Sequence, residues 1–219
     1  MREKIRLLLN IVLAIAIPGV WTGMVLRWGE GNLLTAAGLS SLKYFTVLSN
    51  LLAALAALVF VVSHLRANRK AGRRAGAAVP RWVEVLKYVA AAAVGLTFLV
   101  VLVFLGPLYG YAAMFLGANL YLHLVFPMAA MLEVVFLASY KPSGRDNLLA
   151  LLPVTVYAAY YVLNMVINGI GEWPATNDWY GFLNWGIGPG VVITAAAFGI
   201  TYLIGLVLRK AARGQRRNY

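Results

Sequence analysis

Asn119-Leu120-Tyr121-Leu122-His123-Leu124-Val125-Phe126-Pro127 lies inside an apolar run, residues 112–138, that is long enough to cross a bilayer as a helix. Five further runs of that kind occur, at residues 5–27, 40–64, 82–106, 147–168 and 188–208. The weakest boundary falls between the third and fourth, where Gly106-Pro107-Leu108-Tyr109-Gly110 supplies a turn signal within apolar sequence. Together the six runs predict an all-α polytopic membrane protein, a six-helix bundle forming one domain over residues 1–219. Composition agrees: 62% of residues are hydrophobic and only 12% charged, against roughly half and a quarter in soluble domains. The basic start, Met1-Arg2-Glu3-Lys4-Ile5-Arg6, resembles a signal sequence, but the apolar run behind it is too long for a cleaved one and reads as a retained first span.

Charge placement sets the expected orientation. Sixteen of the 19 basic residues fall before span one or after spans two, four and six. Arg27 and Lys43 flank the opposite loops, and Lys87 lies just inside span three. The positive-inside rule then puts both termini in the cytoplasm. The net charge of +12 is accounted for by this topology, with contact between the basic loops and anionic lipid headgroups as a by-product; nucleic-acid binding by residues 66–81 is the disfavoured alternative. With no cysteine, disulfides and thiolate metal sites are excluded. Two histidines and no dense carboxylate cluster argue against a metal centre, and nothing in the chain calls for a cofactor. The loop from Gly169 to Gly188 carries Trp173, Trp179, Tyr180 and Trp185. It reads as an interfacial aromatic belt in preference to a lid.

His123 is the anomaly. Ionisable side chains at bilayer depth are expensive and mark functional sites by default. Helical spacing groups other polar residues with it: Thr46 and Asn50 in span two, Asn119 and His123 in span four, and Tyr157, Tyr161, Asn164 and Asn168 in span five. Counted at the rise of an α-helix, Thr46 and His123 lie ~9 and ~16 Å from the outer ends of their spans, and the asparagines fall at nearby depths. Pro127 has no N–H, so the carbonyl of His123, four residues earlier, is expected to lose its helical partner. Glu133 lies deeper and has three readings: a partner for His123, a partner for Lys87, or a separate proton-relay group. Interhelical packing alone is an equal alternative for the polar residues.

Lys43-Tyr44-Phe45-Thr46-Val47-Leu48-Ser49-Asn50-Leu51 and Asn119-Leu120-Tyr121-Leu122-His123 resemble two signature segments of the androgen-induced protein family. The six-span plan, with Pro153-Val154-Thr155-Val156-Tyr157 in span five and an aromatic loop after it, is similar too. Members of that family are multi-pass membrane hydrolases that use an intramembrane threonine and histidine. The eukaryotic ones cleave fatty acid esters of hydroxy fatty acids. The resemblance covers most of the chain in topology and only short segments in residues, and this chain looks like a bacterial branch, implying the cytoplasmic membrane. It implies Thr46 as nucleophile and His123 as base, a lipid ester entering from the outer leaflet as substrate, and no metal. Asn50, Asn119, Tyr161, Asn164 and Asn168 become candidates for orienting the imidazole or binding substrate. No carboxylate lies at their level to complete an acid-backed triad. The rival functions are a proton-coupled transporter or channel using His123 and Glu133, and a non-catalytic lipid-binding protein.

Overall fold

The structure, a computed structural model, describes residues 1–28, 38–71, 79–172 and 176–214. Arg73, Arg74, Trp173, Arg216 and Arg217 lie outside the described residues. The described chain is helical, without strands, and six helices are long and apolar enough to cross a membrane. They are α1 (Arg2–Val25), α2 (Phe45–Ala71), α3 (Arg81–Tyr109), α4 (Ala118–Leu137), α5 (Gly144–Asn168) and α6 (Ile187–Gly214). A short 3-10 helix, Leu39–Lys43, precedes α2.

The six apolar runs match the six helices, with two clear shifts: the second run, expected over 40–64, begins as an α-helix at Phe45 after the 3-10 turn and continues to Ala71. The fourth run was expected to start at residue 112, but α4 begins at Ala118. A separate turn of helix, Tyr111–Met114, comes first, and Gly117 breaks the chain at φ 56°. Residues 106–109, read as a turn, instead continue α3, and the turn falls at Gly110 with φ 88°. Glycine occupies both positive-φ positions because other residues pay a steric penalty there.

Helix α3 is the centre of the bundle, packed against α2, α4, α5 and α6, with α1 seated between α2 and α4. Ala90, Ala91, Ala92 and Ala93 on α3 and Ala53, Ala54, Ala56 and Ala57 on α2 are all buried. Such small residues let helix backbones approach closely where lipid leaves no hydrophobic drive between helices. The hydroxyl of Tyr88 on α3 lies 2.6 Å from Asn147 Oδ1 on α5 and 2.7 Å from the Gly205 carbonyl on α6. A Cβ at Gly205 would collide with Asn147, so glycine is required for this three-helix contact.

The ends of the bundle differ. One end carries the start of α1, Arg66 and Arg69 of α2, and Arg209 and Arg213 of α6; we call it the basic end. The other carries the aromatic segment 176–186; we call it the aromatic end.

Proline leaves the same signature twice. In α4, Tyr121–Val125 form a π turn, and Phe126 N–H bonds the carbonyl of Tyr121, five residues back. In that register the next carbonyl, Leu122, would look to Pro127, which has no N–H. The Asn50 side-chain amide donates to Leu122 O instead, at 3.0 Å. In α3, Val101–Leu105 form a π turn and Gly106 N–H bonds Val101 O. Pro107 then leaves Leu102 O open, and the Tyr111 hydroxyl donates to it at 2.8 Å. The carbonyl that takes an outside donor next to Pro127 is thus that of Leu122, because the widened turn shifts the hydrogen-bond register.

Candidate functional site

Two polar regions lie within the bundle, one toward each end. Toward the aromatic end, α2 and α4 meet at Asn50. Its amide nitrogen donates both to Leu122 O and, at 2.8 Å, to the carbonyl of Thr46 one turn up its own helix. Asn50 is fully buried, and its Oδ1 has no hydrogen-bond partner. Both donors of the amide are thus committed to carbonyls, so Asn50 is a bridge between α2 and α4 and has no N–H to offer an oxyanion. Ser49, beside it, hydrogen-bonds Thr46 O at 3.2 Å and Thr97 Oγ1 of α3 at 3.1 Å.

His123 follows Leu122 on α4. Its Nδ1 lies 2.8 Å from the carbonyl of Met114, and the residue is 8% exposed. A carbonyl can only accept, so Nδ1 carries the proton and donates, leaving Nε2 with a free lone pair in the neutral ring. Asn119 donates to the Ala113 carbonyl at 3.3 Å. His123 and Asn119 therefore both fasten the Tyr111–Met114 turn to the start of α4. Met114 had no sequence signal, because its contribution is a backbone carbonyl exposed by the Gly110 and Gly117 breaks.

Thr46 is the second residue of α2 and half-buried. Among the described residues neither its hydroxyl nor its backbone N–H has a hydrogen-bond partner. The N–H is one of those that a helix start leaves open, and it sits at the positive end of the dipole of a 27-residue helix. No hydrogen bond joins Thr46 to His123; the Asn50 bridge is what ties their two segments together.

The span-five stripe does something else. Tyr161 donates to Asp178, which is 5% exposed and also accepts from Phe182 N at 2.9 Å and Leu183 N at 2.8 Å. Asn164 donates to Asn177 at 3.1 Å, and Asn168 donates to Asn164 at 2.9 Å. Tyr157 donates to Lys43 O at 2.6 Å and receives Trp179 Nε1 at 3.0 Å. Phe45 N–H donates to the Tyr180 oxygen at 2.9 Å. Burial pushes the Tyr180 phenol up to about 12, so it stays neutral at that contact. Tyr161, Asn164 and Asn168 thus hold residues 176–183 against α5, and Tyr157 and Tyr180 fasten that segment to the start of α2. Trp179 and Tyr180 pack over Lys43, Tyr44 and Phe45 at the start of α2, with Trp179 edge-on to Tyr161 at 4.8 Å.

The second polar region was not anticipated. Arg6, counted among the orientation charges, is 5% exposed inside the bundle. Its guanidinium holds Glu84 of α3 through two bonds of 2.7 and 2.6 Å and Glu133 of α4 at 3.0 Å, and stands 4.2 Å from the ring centre of Phe60 of α2. Lys87 Nζ closes the group at 2.6 Å from Glu133 Oε2. Of the three readings of Glu133, the pair with Lys87 is the observed one. His123 and Glu133 are ten residues apart on α4, ~15 Å at the helical rise, with buried Phe126 and Ala130 between them. The signal available in the sequence was the spacing of Glu84 and Lys87, one turn apart on an apolar helix. A cavity of about 450 Å³ opens beside this group at the basic end, lined by Glu3, Arg6, Phe60, His64, Arg81 and Glu84 among others. His64 stacks on Phe60 and lies 3.0 Å from Asn68. At its rim Arg81 bonds Tyr140 at 3.2 Å and Asp146 at 3.3 Å. Burial and the bond to Asp146 hold the Tyr140 phenol above its ordinary value.

No family model, curated protein or solved structure matches the chain. The functional reading therefore rests on the residues and their geometry. Among the described residues no group of three or more His, Cys, Asp or Glu side chains is arranged to hold a metal.

Proposed function

We propose that the chain is an intramembrane threonine hydrolase that cleaves a lipid ester at the aromatic end of the bundle, which positive-inside orientation would make the outer leaflet. The observation that carries this reading is the Asn50 bridge between Thr46 O and Leu122 O, with His123 beside it held in the tautomer whose Nε2 is free. A hydroxyl is a weak nucleophile and needs an adjacent base; a neutral imidazole with an open nitrogen is such a base.

In the proposed reaction, Thr46 Oγ1 attacks the ester carbonyl carbon while His123 Nε2 takes its proton. The Thr46 N–H at the start of α2 is the donor available to the oxyanion, a role that helix N-termini suit. The tetrahedral intermediate collapses, the C–O bond to the alcohol breaks, and the imidazolium returns the proton to the leaving alcohol. Water, deprotonated by the same imidazole, then attacks the acyl-threonine. The fatty acid leaves and the hydroxyl is restored. The Met114 carbonyl takes the place of a triad carboxylate: it orients the ring without a compensating charge, so a slow enzyme is expected. No hydrogen bond joins Thr46 to His123; in the proposed reaction the base closes on the nucleophile once substrate is bound.

The transport alternative depends on Glu133. Its carboxylate is engaged by Arg6 and Lys87 and separated from His123 by buried apolar residues, so the hydrolase reading is preferred. The direct test is hydrolysis of a hydroxy-fatty-acid ester by protein in liposomes. The reading expects turnover lost in Thr46→Ala and His123→Ala and kept in Thr46→Ser. Wild-type turnover that survives in folded Thr46→Ala would refute it.

A further inference from the structure

We propose that Lys43 is the anchor for the anionic headgroup of an amphiphile at the aromatic end, three residues from Thr46. The inference deepens the hydrolase reading, and rests on it for taking the bound amphiphile as substrate.

Lys43 is unusual by its position. Of 19 basic residues it is one of two that flank loops on the side opposite the positive charge. A lysine there gains nothing from the positive-inside rule. Its ammonium stands 5.3 Å from the ring centre of Tyr44 and 5.7 Å from that of Trp179, inside an aromatic frame. Among the described residues no carboxylate lies within ion-pair distance of it. Burial raises the Tyr44 phenol above its ordinary value, so no phenolate competes for the charge.

The frame is built before any ligand arrives. Tyr157 bonds the Lys43 carbonyl and also receives the Trp179 indole, so one hydroxyl fixes both sides of the cradle. Lys43 ends the 3-10 helix and Tyr44 turns the chain through an extended conformation into α2. The ammonium is therefore held at the entrance to the helix on which Thr46 is the second residue. Leu39, one turn back on the same short helix, is 68% exposed. A cation with an exposed apolar side chain on its own helix suits a carboxylate or phosphate that carries an acyl chain better than a free anion.

The test is binding of hexadecanoate, hexadecyl phosphate, hexadecanol and inorganic phosphate to purified protein in dodecyl maltoside, followed by Trp fluorescence. Wild type, Lys43→Met and Lys43→Arg would be compared after their thermal melts are shown to coincide. The expected result is about tenfold weaker binding of both anionic amphiphiles by Lys43→Met, worth ~1.4 kcal/mol. Hexadecanol should be unchanged, Lys43→Arg should keep most of the affinity, and inorganic phosphate should not compete. Equal weakening of acid and alcohol, or none, would overturn the anchor. Competition by inorganic phosphate at similar concentrations would overturn the amphiphile, leaving a free-anion site. Should wild type hydrolyse no ester while this binding pattern holds, the hydrolase reading fails and the anchor stands.

Discussion

The side-chain amide of Asn50 on α2 donates to the main-chain carbonyl of Leu122 on α4 across 3.0 Å, and that carbonyl is the one Pro127 deprives of a helical partner. A proline in one helix and an asparagine in another are thus two halves of one device. Replacing Asn50 by Leu should lower stability by about 1–3 kcal/mol, the usual consequence of leaving a buried carbonyl unpaired. Replacing Pro127 by Ala returns an N–H to the helix. Asn50→Leu should therefore be milder in the Pro127→Ala background, and a double-mutant cycle of thermal melts in detergent measures the coupling. Strict additivity would separate the two residues.

The same logic applies to Tyr111 and Leu102 with Pro107. Tyr111 is exposed, so Tyr111→Phe is expected to lower stability by only about 1 kcal/mol. Hydrogen exchange of the Gly110–Gly117 segment should speed up. Because this segment supplies the Met114 carbonyl to His123, turnover should fall as well, although Tyr111 touches neither Thr46 nor His123 in any hydrogen bond of the described residues.

Glu133 has no exposed surface and is shared by Arg6 and Lys87. Glu133→Gln leaves Lys87 buried without a counter-charge, and breaking such a pair from one side lowers stability by about 3–5 kcal/mol. Lys87→Met added to Glu133→Gln removes the stranded charge and should recover part of the loss, read as the melting temperature of the purified variants. A transporter whose proton passes through Glu133 would instead lose flux with its fold intact.

At Gly205 the helix contact leaves no room for a methyl group. Gly205→Ala should lower stability by about 1–3 kcal/mol through overpacking against Tyr88 and Asn147. Gly199 has open space at the Cβ position on the same helix, and Gly199→Ala should be neutral or stabilising. The paired melts separate packing from helix propensity.

The six helices were legible because twenty-residue apolar runs announce themselves whatever surrounds them. The start of α4 was not, since residues 112–117 are as apolar as the helix and only the backbone at Gly110 and Gly117 breaks it. Thr46, Asn50, Asn119 and His123 were legible as a set from helical spacing. The division of labour was not: Asn50 bridges carbonyls, while Tyr161, Asn164 and Asn168 bind the aromatic segment. Arg6 was misread because a sequence displays charge and not depth. One and a half turns into α1, it looks like any terminal arginine until α3 and α4 bring Glu84 and Glu133 to it. The bond from Asn50 to the Leu122 carbonyl depends on a π turn, which no residue pattern specifies.

A base must be neutral to accept the threonine proton. Turnover should therefore rise with pH as the imidazole gives up its proton, and level off once it is neutral. His123→Gln should abolish that limb. A limb that persists unchanged in folded His123→Gln would exclude the His123 imidazole as the base.

The central claim is that Thr46 is the nucleophile, and covalent capture reads it most directly. Wild-type protein in liposomes would be treated with a long-chain fluorophosphonate, digested, and the adduct located by peptide mass spectrometry. The account predicts one phosphonylated residue, Thr46, with labelling lost in Thr46→Ala and strongly slowed in His123→Ala. An adduct on any other residue, or undiminished labelling of folded Thr46→Ala, would contradict it.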